Sequence, residues 1–199
     1  MAAREQGGGY GTRGRVWHSP VGGLWMSVVL RPRLAARAEG LSLRVGLAVA
    51  SALEREVPRL GPLMIKWPND LLLDGRKLGG ILCEARWQGE ALAWVVAGIG
   101  LNVANPLPAE VAETAATLRE GAPGLDPADL AGPVARAVAE ATREGGPLTT
   151  AELDAFRARD WTYGREVTSP VAGVARGITA DGALRVETGE GVEEVARST

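Results

Sequence analysis

A tight hairpin near the middle of the chain constrains the fold more than any other segment. Two apolar runs, residues 71–73 and 77–84, stand on either side of Asp74-Gly75. Asp-Gly favours the two-residue turns whose twist matches that of paired strands, so these runs are predicted to pair antiparallel. A further apolar run, residues 91–103, follows the turn signal Gln88-Gly89. Consecutive hairpins argue for an antiparallel sheet and against a doubly wound parallel one.

The remaining segments add helices around this sheet. Apolar residues recur at helical spacing between residues 41 and 57, and Thr149-x-x-Glu152 is a capping box that opens a helix toward residue 160. Other predicted elements are strands at 24–30 and 63–67, a loop at 105–125 and a helix at 126–144. The fold class is therefore α+β, with a mixed or antiparallel sheet flanked by helices.

The last part of the chain has a different character. Short strands are predicted at 166–168, 173–179, 183–187 and 191–196, separated by glycine-bearing turns. This pattern predicts a small C-terminal β-barrel. We therefore divide the chain into a main domain, residues 1–162, and a C-terminal domain, residues 163–199.

Composition excludes several classes of protein. The net charge of −2 offers no electrostatic footprint for nucleic acid or an anionic membrane. One cysteine excludes an internal disulfide framework, and with one histidine it argues against structural zinc. No apolar run is long enough to span a bilayer, and no signal peptide opens the sequence. We expect a cytoplasmic protein with no nucleic-acid or membrane partner.

The two lysines of the chain lie close together, although twenty arginines are spread along it. Lys66 begins the segment Lys66-Trp67-Pro68-Asn69-Asp70, and Lys77 lies seven residues after Asp70. Lysine supplies a compact charge where arginine supplies a planar fork, which suits a reacting carboxylate or phosphate. Asn69 and Asp70 could hold a magnesium-bound phosphate or hydrogen-bond a polar ligand, although Pro-Asn-Asp is also ordinary turn chemistry.

A glycine-rich segment near the start matches G-x-G-x-x-G at residues 9–14. The dinucleotide-binding fingerprint needs a helix directly after it, and Pro20 and Gly22 exclude one there. The backbone of such a loop, with Arg13 and Arg15, could still approach an anionic ligand, although a merely flexible loop is an equal alternative. Further along, the glycines of residues 98–100 indicate either a bulge or a close backbone approach, after which Asn102 could present its amide to a nucleotide.

Taken together, these segments resemble the biotin protein ligase family, in a short form without a DNA-binding domain. The resemblance rests on three blocks in family order, and it extends to the SH3-like C-terminal domain through residues 177–184. The blocks are residues 5–28 with the glycine loop, residues 66–84 with Lys-Trp-Pro-Asn-Asp and Arg-Lys-Leu-Gly-Gly-Ile-Leu, and residues 98–103.

The resemblance implies a class II synthetase-like catalytic domain that joins biotin to ATP, with Mg²⁺, as biotinyl-5′-adenylate. The biotinyl group then passes to a lysine of the biotin carboxyl carrier protein of acetyl-CoA carboxylase. Catalytic roles are implied for Lys77, Asp70 and Lys66, with Asp70 as the candidate magnesium ligand. Biotin contacts are implied for Gln6, Gly9, Tyr10, Gly11, Thr12, Trp17, Lys77 and Gly79, and ATP contacts for Arg13, Arg15, Asn69 and Asn102.

Two departures from the family pattern leave alternatives open. Tyr10 and Thr12 stand where the family loop carries arginines. The family also has a strand, a helix and a Ser-Thr-Asn segment before this loop, and we expect them to be missing here. A lipoate-type acyl ligase and a truncated, non-catalytic biotin- or adenylate-binding protein are the alternatives. A homodimer is left open.

Overall fold

The computed structural model describes residues 1–31, 38–88 and 91–196. A six-stranded antiparallel sheet forms the main domain, in the order β1-β2-β6-β5-β4-β3. Its strands are β1 (Ala2–Ala3), β2 (Leu24–Leu30), β3 (Met64–Lys66), β4 (Asp70–Leu73), β5 (Arg76–Gln88) and β6 (Ala91–Leu101). The predicted α+β class with an antiparallel sheet is confirmed.

The Asp74-Gly75 hairpin joins β4 to β5 as the sequence predicts. Both turn residues have positive φ, 50° and 75°, which is the conformation that the favoured two-residue hairpin turns require. The next predicted turn includes Gly89, which lies outside the described residues, as does Pro32 after β2.

Helices cover one face of the sheet. These are α1 (Ala38–Glu56), α2 (Pro127–Ala141) and α3 (Thr150–Arg157). The buried positions Val45, Val49 and Leu53 of α1 recur at the predicted spacing and join the core. Strand residues of alternate register, such as Ile99 and Leu101, face these helices, so the opposite sheet face is left for a site. None of the described helices is long and apolar enough to cross a membrane.

A buried arginine fixes the short helix α3 to α1. Arg44 donates to the backbone oxygens of Gly146 and Pro147, at 3.0 and 2.8 Å, and forms an ion pair with Glu152. Glu152 also closes the predicted capping box with Thr149. Burial raises the pKa of Glu152, but the hydrogen bonds from Arg44 and Thr149 outweigh it, so the pKa lies below its usual value.

The C-terminal strands form a separate sheet in the order β10-β9-β8-β7. They are β7 (Glu166–Val167), β8 (Gly173–Ile178), β9 (Leu184–Thr188) and β10 (Gly191–Val195). The small sheet is where the sequence predicts it, but no closed barrel is found among the described strands.

Backbone and side-chain hydrogen bonds join this region to the main sheet. The segment before it runs beside β3, where the Ile65 N–H donates to the Arg159 oxygen and the Trp161 N–H donates to the Ile65 oxygen. In addition, the Trp67 indole donates to the Gly182 oxygen at 2.9 Å. The C-terminal sheet is therefore attached at the end of the main sheet that carries Lys66-Trp67-Pro68-Asn69-Asp70.

We expect Arg44→Ala to lower the free energy of unfolding by about 2–4 kcal/mol, because Glu152 and two carbonyls lose a buried donor. Because the pKa of Glu152 is lowered by folding, its stabilising effect is present above about pH 4.3 and is lost as the pH falls. The deficit of the variant should therefore shrink in acid. Urea unfolding of the unmodified chain and the variant at neutral and acidic pH measures this difference in stability.

The matched control is Arg136→Ala, which removes an exposed arginine from α2. It should change stability by less than about 0.5 kcal/mol at either pH. Equal losses in the two variants would contradict the structural role given to Arg44.

Candidate functional site

A cavity of about 860 Å³ lies on the sheet face that the helices leave open. The glycine-rich segment forms one wall, the start of β4 with the first half of β5 and the second half of β6 forms the floor, and residues 168–170, between β7 and β8, contribute to the rim. Thirteen predicted site residues line it: Gln6, Gly9, Tyr10, Gly11, Thr12, Arg13, Arg15, Trp17, Lys66, Asn69, Asp70, Lys77 and Asn102. Gly79 is the predicted site residue that the lining does not include.

Lys77 lies at the centre of this arrangement. Its ammonium Nζ is 2.7 Å from Oδ1 of Asp70, on the neighbouring strand, and 5.2 Å from the centroid of the Trp17 ring. Both charged side chains are partly exposed, Lys77 at 37% and Asp70 at 23%. The ammonium is therefore held in place by a carboxylate and an aromatic face while it stays accessible to a ligand.

Trp17 packs directly against a glycine in β6. A Cβ atom added to Gly100 would lie 2.6 Å from Trp17 Nε1, so only glycine permits this contact. The ring also meets Trp25 edge-on, with centroids 6.4 Å apart. Trp17 Nε1 is buried and, within the described part of the chain, has no hydrogen-bond partner. The glycines of residues 98–100 thus do mark a close approach, one of the two alternatives that their pattern predicts, and the approaching group is an indole.

The glycine-rich segment folds as a two-stranded ribbon, which we call the glycine ribbon, residues 6–19. Its backbone pairs Gln6 with Ser19 and Tyr10 with Val16, and Thr12–Gly14 form a short 3-10 turn at the tip. Gly9 is required near the base, because an added Cβ would lie 2.4 Å from the Trp17 oxygen. The exposed cations Arg13 and Arg15 form no ion pair with the described residues and face the cavity.

Some predicted site residues also have contacts within the protein. Asn69 Nδ2 donates to the Ile81 oxygen at 2.7 Å, which ties the Asn69 turn to β5. The Asn102 side chain is buried, and its Oδ1 accepts a hydrogen bond from Asn105 at 3.2 Å. Gly79 lies under the neighbouring strand, where an added Cβ would be 2.5 Å from the Gly100 oxygen.

Lys66 lies at the rim beside the C-terminal domain. Its Nζ is 5.1 Å from the centroid of the Trp161 ring, and the guanidinium of Arg165 lies 4.1 Å from the same centroid. The ring therefore holds two cations near the cavity. The sequence pattern does not reveal Trp161, because its partner Lys66 is distant along the chain.

Glu84 is a second residue that sequence reasoning missed. It lies on β5, lines the cavity and accepts one hydrogen bond from the Tyr10 hydroxyl, shared between its two carboxylate oxygens at 3.3 Å each. The negative charge of Glu84 and the hydrogen bond to it raise the pKa of Tyr10 above its usual value. No short-range pattern links residues so distant in sequence.

Comparison with known proteins identifies the family to which the chain belongs. Residues 1–102 match the Biotin/lipoate A/B protein ligase family, and residues 164–196 match the Biotin protein ligase C terminal domain. A biotin--[acetyl-CoA-carboxylase] ligase from Paracoccus denitrificans is 37% identical over 92% of this chain and 82% of its own length. The chain belongs to the biotin protein ligase family.

Other relatives agree with this assignment. A bifunctional ligase/repressor from Escherichia coli is 35% identical over 93% of the chain, which spans 60% of that longer protein. The biotin protein ligase from Aquifex aeolicus, solved in complex with biotin and ATP, superposes with a TM-score of 0.83 at 28% identity. That match covers 98% of this chain and 84% of the Aquifex aeolicus chain.

We expect Gly100→Ala to displace the Trp17 ring from the sheet and to expose the indole to water. Tryptophan fluorescence should then shift to longer wavelength, and the thermal midpoint should fall, because overpacking of this kind costs about 1–3 kcal/mol.

The matched control is Gly98→Ala, two residues before Gly100 on the same face of β6. Its Cβ would make only ordinary contacts with Leu82, at 3.5 and 3.8 Å. Identical spectra for the two variants would show that the Trp17 ring does not pack against Gly100.

Proposed function

We propose that this chain is an ATP-dependent biotin protein ligase that activates biotin as biotinyl-5′-adenylate and transfers it to a lysine of a carrier protein. The observation that supports this most strongly is the Lys77 ammonium, fixed by Asp70 and Trp17 in a cavity beneath the glycine ribbon. Membership of the biotin protein ligase family supplies the reaction class.

The first step brings two anions together. An oxygen of the biotin carboxylate attacks the α-phosphorus of ATP, the phosphorus–oxygen bond to the β-phosphate breaks, and pyrophosphate leaves. We assign to Lys77 the neutralisation of the carboxylate and the reacting phosphate, because charge that develops in a transition state is best stabilised by a positioned cation. The exposed cations Arg13 and Arg15 are assigned to the phosphate end of the cavity.

The second step needs a base. The amine of the carrier lysine attacks the carbonyl carbon of the mixed anhydride, a carbon–nitrogen bond forms, and AMP leaves. The attacking ammonium must first lose a proton, and Asp70 is the carboxylate on the cavity wall beside Lys77 that we assign to accept it. Lys66 lies at the rim and is assigned to the nucleotide or to the approaching carrier.

The biotin contacts are assigned to the ribbon and the floor. The space next to Lys77 is lined by the ribbon residues Gln6, Gly9, Tyr10, Gly11, Thr12 and Trp17. Gly79 acts indirectly, because the absence of a side chain there lets β6 approach β5. Asn69 and Asn102 are assigned to the nucleotide end. The ribbon would exclude water from the adenylate, which is a mixed anhydride and hydrolyses readily.

A magnesium ion fits this site only when the phosphates of the bound nucleotide supply some of its ligands. The described residues contain no group of three or more histidine, cysteine, aspartate or glutamate side chains arranged to hold a metal. Mg²⁺ usually binds substrate phosphates together with one or two carboxylates, and Asp70 is the candidate carboxylate. When bound, the ion would supply charge neutralisation on the phosphates.

We propose that the partner is a biotin carboxyl carrier protein, as the name of the Paracoccus denitrificans relative implies for that protein. We also propose the division into domains 1–162 and 163–199, which the separate family matches and the separate sheets support. A cytoplasmic location and a homodimer stay predictions.

We expect Lys77→Ala to reduce biotin-dependent pyrophosphate release by about 10²-fold or more, since it removes a cation used in the transition state. Lys77→Arg should also fail, because a planar guanidinium cannot replace the compact ammonium between Asp70 and Trp17. Continuous pyrophosphate release with biotin and ATP provides the measurement.

Arg143→Ala removes an exposed cation outside the cavity and serves as the control. Activity near that of the unmodified chain in either Lys77 variant would overturn the role assigned to Lys77.

The identity of the acid is tested separately. With saturating ATP, biotin should support pyrophosphate release and lipoate should not. Faster release with lipoate would favour the lipoate-type alternative, and biotin binding without any release would favour the non-catalytic alternative.

A further inference from the structure

The glycine ribbon is a self-contained unit in its backbone hydrogen bonding. The Gln6 N–H donates to the Ser19 oxygen, the Trp17 N–H to the Gly9 oxygen, and the Gly11 N–H to the Arg15 oxygen. Within the described residues, the backbone hydrogen bonds of residues 6–17 all stay inside the ribbon. Apart from the chain connections at its base, the ribbon is therefore held against the sheet by side chains.

Two side-chain contacts perform this task at different heights. Trp17, near the base, packs on Gly100. Tyr10, nearer the tip, donates its hydroxyl hydrogen to Glu84 on β5. The other tip side chains, those of Thr12, Arg13, Arg15 and Val16, make no polar contact with the sheet in the described part of the chain.

The Tyr10–Glu84 hydrogen bond joins one wall of the cavity to its floor. Tyr10 lies on the ribbon, Glu84 lies on the sheet, and both line the space that also contains Lys77. A ligand beneath the ribbon can leave readily only if the ribbon moves away from the sheet, and that movement breaks this hydrogen bond.

We propose that Glu84 is a positioning residue that holds the glycine ribbon closed over the bound acid and its adenylate through the Tyr10 hydroxyl. This inference rests on the proposed function for the identity of the ligand. It does not require Glu84 to touch the ligand or the reacting atoms.

The Tyr10–Glu84 hydrogen bond, which we call the latch, is weak enough to break and re-form. A phenol donating to a carboxylate gives one charge-assisted hydrogen bond, whereas an arginine would give two with full opposite charge. Tyr10 is 58% exposed, so water competes for the same carboxylate. The hydrogen bond should therefore slow opening of the ribbon while still allowing ligand exchange.

The test begins with the protein without any ligand. Arg13 and Arg15 place two trypsin sites near the tip of the ribbon. Cleavage there requires the backbone to leave its hydrogen-bonded conformation, which is easier when the ribbon is not held against the sheet. We expect Tyr10→Phe and Glu84→Ala to raise the cleavage rate at these sites about threefold to tenfold. Glu84→Gln keeps an acceptor oxygen but loses the charge, so its cleavage rate should fall between those of the unmodified chain and Glu84→Ala.

Several controls separate this effect from general destabilisation. Cleavage after Arg176 and Arg185, in the C-terminal sheet, should be unchanged in every variant. Tyr163→Phe and Glu140→Ala remove an exposed hydroxyl and an exposed carboxylate elsewhere and should have no effect. The double variant Tyr10→Phe with Glu84→Ala should cleave no faster than either single variant, because one contact can be lost only once.

The second measurement is the dissociation rate of biotin, followed by tryptophan fluorescence after mixing with an excess of a competing analogue. Tyr10→Phe and Glu84→Ala should release biotin about threefold to tenfold faster, with Glu84→Gln again between Glu84→Ala and the unmodified chain. Equal tryptic cleavage in all variants would overturn the latch, whether or not biotin binds.

The two proposals fail in distinguishable ways. If the unmodified chain binds biotin and releases pyrophosphate while its Tyr10 and Glu84 variants keep the same biotin dissociation rate, the latch is overturned and the ligase function stands. If the unmodified chain binds no biotin, the proposed function is wrong, and so is the claim that the latch slows the release of biotin. Tryptic cleavage alone would then judge whether the contact closes the ribbon.

Discussion

The position of one ammonium group depends on the whole main domain. Lys77 follows the Asp74-Gly75 turn, and the pairing of β4 with β5 brings Asp70 within 2.7 Å of its Nζ. The pairing of β5 with β6 places Gly100 under Trp17, which offers its ring to the same ammonium. Antiparallel register thus converts three separate stretches of sequence into one charged site.

Small residues and buried polar contacts hold this arrangement together. Gly9, Gly79 and Gly100 each occupy a place where a Cβ would collide with a neighbouring backbone or ring. Asn69 ties the turn before β4 to β5, and the helices bury the opposite sheet face. Because interiors are close-packed, one added methyl group at any of these glycines would force its neighbours to move.

Much of the fold can be predicted from the sequence, because its signals are local. Asp74-Gly75 determines a turn type, the Thr149–Glu152 pair caps a helix, and apolar spacing marks α1. The cavity residues follow largely from the family resemblance. The Tyr10–Glu84 and Lys66–Trp161 contacts could not be predicted, because they join residues whose proximity depends on how the ribbon and the C-terminal domain meet the sheet. The open C-terminal sheet also differs from the predicted barrel, since short alternating strands do not reveal whether their edges close.

The central claim is that this cavity activates a carboxylate by attaching it to the α-phosphate of ATP. The direct test uses biotin whose carboxyl group carries a heavy oxygen isotope, together with ATP, Mg²⁺ and a biotin carboxyl carrier protein. If a carboxylate oxygen attacks the α-phosphorus and the acyl group then passes to the lysine, the AMP released must retain one heavy oxygen, which mass spectrometry detects. Unlabelled AMP, or heavy oxygen found in inorganic phosphate beside ADP, would contradict the account.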